Sequence, residues 1–255
     1  LTACATRRGP LLAVYMAVAV GAGVAAAATA AQDPAAESPA ELTGTLRASP
    51  SKAGTLVRPV GIRIAAAFRL TTPSGLEPPI VTGVEFFNGP GLNYGGSLYP
   101  SCSKAILDRR GPAGCPKRSI VGAGFATGWA DMVTTRADLA LVNGPGEKLL
   151  MYARLDNPAR VRETMVGSGE DFVRGPWRHR EAWTIPRSLQ VVGGIPLELT
   201  KVTFDVGGRP GAKLYAATTS CPRGGWKWRV VLHTLSDSTG ATGDTTLDGA
   251  MPCTR

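Results

Sequence analysis

Period-two alternation of apolar residues, broken at short intervals by glycine and proline, constrains this chain more than any other feature. Val60, Ile62, Ile64, Ala66, Phe68 and Leu70 share one parity, and Gly61, Arg63, Ala65, Ala67 and Arg69 share the other. Successive side chains of a β-strand point to opposite faces, so this run predicts a half-buried strand, and its arginines exclude the opposite register. Pro78-Pro79 precedes a further strand over 80–87. Ala137, Leu139 and Leu141 alternate again, Asn143-Gly144-Pro145-Gly146 signals a turn, and Leu149, Met151, Ala153 and Leu155 follow. Residues 136–155 therefore read as a hairpin. Strands are also predicted over 197–206, 213–219 and 226–235, with Trp226, Trp228, Val230 and Leu232 on the inward face of the last. Only 102–110 reads as a helix, capped by Ser101. Many short strands between Gly, Pro and Asn clusters predict an all-β fold, an antiparallel β-sandwich.

The N-terminus has the order of an export signal. Arg7 and Arg8 are followed by an uncharged apolar run, Leu11 to Ala28, and by small residues at Ala28-Thr29-Ala30. Residues 1–31 are expected to be a signal peptide cut near Ala30 or Ala31, the alternative being an uncleaved membrane anchor. Residues 32–49, rich in Ala, Pro, Glu and Ser, read as a disordered stalk, and 50–255 as a single β-sandwich domain. The formal net charge is +9. It fits a solvated surface or an affinity for polyanions, and no run of like charges suggests a nucleic-acid tail.

Downstream of the export signal lie four cysteines, Cys102, Cys115, Cys221 and Cys253. An even number behind a signal reads as a disulfide framework formed in an oxidising compartment, which places the protein as secreted or at the outer face of the envelope. Proximity favours Cys102 with Cys115 and Cys221 with Cys253, and the two crossed pairings stay open. Closing 103–114 stabilises by about 3 kcal/mol, and closing 222–252 by roughly 3.5–4 kcal/mol, in the chain-entropy account. Zinc fails on spacing, since no Cys-x-x-Cys occurs and neither histidine lies near a cysteine pair. No metal or cofactor is expected.

Tyr99-Pro100-Ser101-Cys102, Gly114-Cys115-Pro116 and Ser119-Ile120-Val121-Gly122-Ala123-Gly124 form one recurring signature. Thr219-Ser220-Cys221-Pro222, Gly225-Trp226 and Cys253 form another. Together with Ser51-Lys52-Ala53-Gly54 and Ile185-Pro186, they resemble a family of uncharacterised secreted proteins of high-GC Gram-positive bacteria. The resemblance covers the chain from about Ser49 onward. It implies an exported, β-rich, disulfide-bonded protein and assigns no activity.

No catalytic residues are identified. Gly167-Ser168-Gly169 is not a nucleophile elbow, and only His179 and His233 could serve as histidine bases, His233 on the outward parity of its strand. Glu163, Glu170, Asp171 and Glu181 cluster in sequence as glycosidase carboxylates would, but solvated charges explain them equally. Asp237, Asp244 and Asp248 read as an ordinary polar loop without calcium-binding spacing. The candidate binding residues are Trp177, Arg178, Arg180, Trp183 and Arg187. There indole faces could stack on sugar rings and guanidinium groups could hold anions, against the plain alternative of core tryptophans and solubilising arginines. The expected function is a non-catalytic cell-envelope binding or structural domain for an anionic polysaccharide, wall polymer or glycan, with a secreted hydrolase as the alternative. Nucleic acid is not an expected partner, and the membrane is one only through an uncleaved signal.

Overall fold

In the computed structural model, residues 40–255 are described. The expectations for the signal segment, its cleavage and the first part of the stalk lie outside the described residues. The stalk's last stretch is not a stalk. Glu41–Ser49 forms strand β1, and it pairs with β3 (Arg63–Thr71) over its whole length. Its inward row is Leu42, Gly44, Leu46 and Ala48, set opposite Leu70, Phe68, Ala66 and Ile64. Only two of those four residues are large and apolar, so the alternation is muted in the sequence. Gly44 is required there, because a Cβ would stand 2.4 Å from the Phe68 ring.

The predicted strand over 60–70 divides at Ile62. Val60–Gly61 is β2 and turns into a small sheet, while β3 buries Ile64, Ala66, Phe68 and Leu70 on one face. β4 (Ile80–Asn88) and β5 (Leu92–Tyr94) lead to helix α1 (Lys104–Arg110). The cap of α1 is Ser103 rather than Ser101, since its side chain accepts from the backbone N–H of Ile106 at 3.3 Å. Next come β6 (Ile120–Ala130), β7 (Val133–Asn143), β8 (Leu149–Leu155) and β9 (Val161–Val166), with the predicted hairpin present as β7 and β8. β10 (Ser168–Arg174) and β11 (Trp177–Thr184) form a second hairpin. A short helix α2 (Arg187–Gln190) precedes β12 (Val191–Val192) and the long β13 (Ile195–Gly207). β14 (Ala216–Thr218), β15 (Trp226–Leu235) and β16 (Thr242–Met251) complete the fold. Asp244 and Asp248 lie on β16, not in a loop, paired across to His233 and Arg229.

The strands make an antiparallel sandwich. The larger sheet runs β1-β3-β13-β6-β7-β8-β9 with β12 on β13, and the facing sheet runs β10-β11-β4-β15-β16. A three-stranded sheet, β2-β14-β5, lies beside them. The two large sheets meet along both edges. Beside β1, the Thr245 hydroxyl donates to the Ala40 carbonyl at 3.0 Å, and at the other side β9 passes through Gly167 directly into β10. Between them, Phe86 is the centre of an aromatic cluster, with Phe68, Trp183 and Phe204 at 5.8–5.9 Å, mostly edge-on. Such pairs contribute about 0.5–1.5 kcal/mol each beyond area burial.

Both expected disulfides are present, Cys102–Cys115 and Cys221–Cys253, with Cα separations of 5.5 and 5.7 Å. The first closes the loop that carries α1, which lies on the outer side of the larger sheet, where Leu107 packs with Val142, Leu150 and Tyr152. The second pins the C-terminus beside the start of β15. Two bridges of this kind are those of a chain that matures under oxidising conditions.

Candidate functional site

β11 positions the residues singled out in the sequence, and its pleat separates them. Trp183 points inward and is 6% exposed, edge-on to Phe86 at 5.8 Å, so it is a core residue and not part of a contact surface. Arg180 points outward, where its guanidinium grips Glu85 through two bonds of 2.5 and 3.1 Å and Glu170 through one of 2.8 Å. The Glu85 and Glu170 carboxylates hold Arg180 more firmly protonated than usual, and Arg180 in turn lowers the Glu85 carboxyl. Its charge is already answered within the fold. Arg178 is exposed, but it donates to the carbonyls of Gly175 and Trp177 at 3.0 and 2.6 Å. Arg187 is exposed on α2, away from the others, beside Gln190. Trp177 alone keeps a partly open ring, set among Phe87, Phe172 and the Arg229 guanidinium, which lies 5.2 Å from the indole. The expected aromatic-basic surface is therefore not assembled, because a two-residue period sends Trp183 and Arg180 to opposite faces.

The outward face instead carries a strip of charge that crosses all five strands of the sheet. Glu170 on β10 meets Arg180 on β11, Arg180 meets Glu85 on β4, Glu85 meets His233 on β15, and His233 meets Asp244 on β16. Partial burial would lower the His233 pKa, but Asp244 at 2.7 Å and Glu85 at 3.3 Å outweigh it and raise the value.

The inward parity of the same strand builds something different. His179, Glu181 and Trp183 face a cleft of about 690 Å3 between the large sheets, which Asn88, Tyr94 and Tyr215 also line. That is the volume of an ordinary small-molecule site. Exposed Glu147, Lys148, Glu170, Asp171 and Arg178 stand at its rim.

Glu181 is the unusual group in this cleft. Its side chain is 13% exposed, and its Oε2 lies 3.5 Å from His179 Nε2, its single ion-pair partner among the described residues. Its Oε1 is buried with no hydrogen-bond partner. Room for the carboxylate comes from two glycines of the β9–β10 run. A Cβ on Gly167 would stand 2.2 Å from Oε1, and one on Gly169 would stand 2.6 Å from Oε2.

Two tyrosines line the same cleft. Tyr94 accepts from Asn88 Nδ2 at 3.2 Å, which leaves its own O–H to donate into the cleft. Burial and then the Glu181 charge push the Tyr94 hydroxyl far above its ordinary range, and they act on Tyr215 in the same way. Both hydroxyls thus stay neutral donors. The ring of Tyr94 lies 5.4 Å from that of His179.

Sequence reasoning placed Glu181 among solvated charges. The available signal was parity: from residue 179 on, His179, Glu181 and Trp183 alternate with Arg180 and Ala182, and a glutamate on the parity of a core tryptophan is inward, although at the start of the strand Trp177 turns outward and Arg178 lines the cleft. Among the described residues no group of three or more His, Cys, Asp and Glu side chains is placed to hold a metal, and no helix is long and apolar enough to cross a membrane. No family model matches the chain, and neither a curated protein nor a solved structure matches it.

Proposed function

We propose that this domain is a non-catalytic binding module of the cell envelope, and that it holds a polyhydroxylated ligand, a glycan or the sugar of a wall polymer, in the cleft between its sheets. The observation that carries the reading is Glu181, a carboxylate inside a 690 Å3 cleft with a buried, unpartnered oxygen, while Lys148 and Arg178 of the same lining make no ion pair with it. Leaving a buried acceptor unpaired costs about 1–3 kcal/mol, a cost that a ligand's donor recovers. A hydroxyl suits the surroundings better than a simple cation does. It donates to the carboxylate and accepts from Tyr94 or Tyr215, whereas an ammonium ion leaves both phenols unanswered. The two disulfides support a place outside the plasma membrane.

Calorimetric titration with a panel of neutral and acidic sugars tests this. Binding is expected for neutral hydroxyl-rich ligands, with at least a tenfold loss in Glu181→Gln and little change in Trp177→Ala, whose ring lies outside the cleft. Binding to acidic polymers alone, lost in Trp177→Ala and kept in Glu181→Gln, returns the site to the outer face. Turnover of nitrophenyl glycosides that vanishes in Glu181→Gln makes the domain a hydrolase instead.

A further inference from the structure

The cleft does not end at its polar residues. Phe86, Met151 and Phe204 line it, and the same three side chains line a second cavity of about 140 Å3 between the sheets. That chamber is walled by Leu139, Met165, Ile185, Leu189 and Val202, with Ala126 at its larger-sheet side. Close-packed interiors hold few voids larger than a water molecule, so an apolar void of this size is a departure from ordinary packing. Dry cavities of similar volume take a benzene-sized group, which corresponds to about six carbons.

Resting on the reading of the polar cleft above, we propose that the ligand is amphipathic: a hydroxyl-rich head at Glu181, Tyr94 and Tyr215, and one short alkyl or aryl tail of about six carbons passing between Phe86, Met151 and Phe204 into the apolar chamber. Phe86, Met151 and Phe204 form a wall common to the two cavities, so a shift of these side chains lets one molecule span both. The chamber's size excludes a long acyl chain, and apart from Lys201 its residues offer a tail only hydrocarbon, thioether and aromatic contact. Met151 stands at the junction, and an unbranched thioether can move aside more readily than a β-branched side chain.

The experiment is a calorimetric series with glucose and the methyl, butyl, hexyl, octyl and decyl β-glucosides, all below their micelle concentrations. It is repeated on Ala126→Phe, which fills the chamber and stands clear of the head-group residues. Affinity is expected to rise by about fourfold per methylene up to the hexyl compound and then level off. In Ala126→Phe that rise should disappear while glucose binding stays. If the variant does not fold, methyl-labelled methionine spectra of the unaltered protein replace it. Hexyl glucoside should then shift Met165, which lines only the apolar chamber, and glucose should not. Glucose binding with no dependence on chain length overturns the tail and leaves the polar cleft standing. Absence of binding by every member of the series overturns both readings.

Discussion

Replacing Trp183 by alanine separates the core role found here from the surface role its sequence neighbours suggest. The indole is 6% exposed and packs with Leu139, Met151, Ala153, Met165 and Leu189, and it meets Phe86 edge-on. Truncation removes most of a buried ring beside a chamber that is already underfilled, so the cavity cannot easily collapse. Large aromatic-to-alanine changes in such cores cost about 3–5 kcal/mol. For a domain of this size each kcal/mol lowers the melting temperature by about 2–4 °C, which gives a fall of roughly 6–20 °C. Trp177→Ala is the internal comparison. That ring is half-buried on the outer face, and its loss removes one contact with Phe87 and one with Arg229, a change of about 1–2 kcal/mol. The assay is thermal and urea unfolding of both variants. Equal small losses in the two would refute the placement of β11, and with it the inward direction of Glu181.

Further outcomes follow from the same structure. Leu46→Ala should cost about 2–4 kcal/mol in urea unfolding, because β1 is a paired strand with a buried leucine; a stalk residue would cost nothing measurable. His233 has a raised folded pKa, so its contribution is complete below about pH 6.5 and is lost as pH rises through that folded value. His233→Gln should flatten stability across that window, by well under 1 kcal/mol at this exposure and less in high salt. Non-reducing peptide maps should show Cys102 joined to Cys115 and Cys221 to Cys253, and a peptide joining Cys102 to Cys221 contradicts the fold. Gly167→Ala should destabilise by about 1–3 kcal/mol and abolish sugar binding, since its methyl group takes the place of Glu181 Oε1.

The sheet architecture was readable where one parity is uniformly large and apolar. In β3 and β15 the rows Ile64-Ala66-Phe68-Leu70 and Trp226-Trp228-Val230-Leu232 face the opposing sheet, and the more polar parity between them is more exposed. β1 and β6 were not readable for the opposite reason. Their inward or neighbouring positions carry Gly44, Gly122, Gly124 and Gly128, where backbone of the adjacent strand or a ring approaches too closely for a side chain. Glycine at a close approach looks in sequence like glycine in a loop. The candidate site failed on parity. The aromatic and basic residues of 172–187 read as one surface in the sequence, yet a strand divides them, and the residue that faces the interior with Trp183 is a glutamate. Its isolation depends on β10, its own hairpin partner, and on β4, β5 and the stretch before β14, which are far from it in sequence.

The chain carries its own reporters for the central claim that ligand enters between the sheets. Met251 lines the polar cleft, Met151 stands at its junction with the apolar chamber, and Met132 is 87% exposed on the β6–β7 turn. Spectra of methyl-labelled methionine should be recorded during titration with hexyl β-glucoside. The account predicts saturable shifts of Met151 and Met251 at one common affinity, with Met132 unmoved and both shifts lost in Glu181→Gln. Saturable binding that leaves Met151 and Met251 unmoved would contradict it.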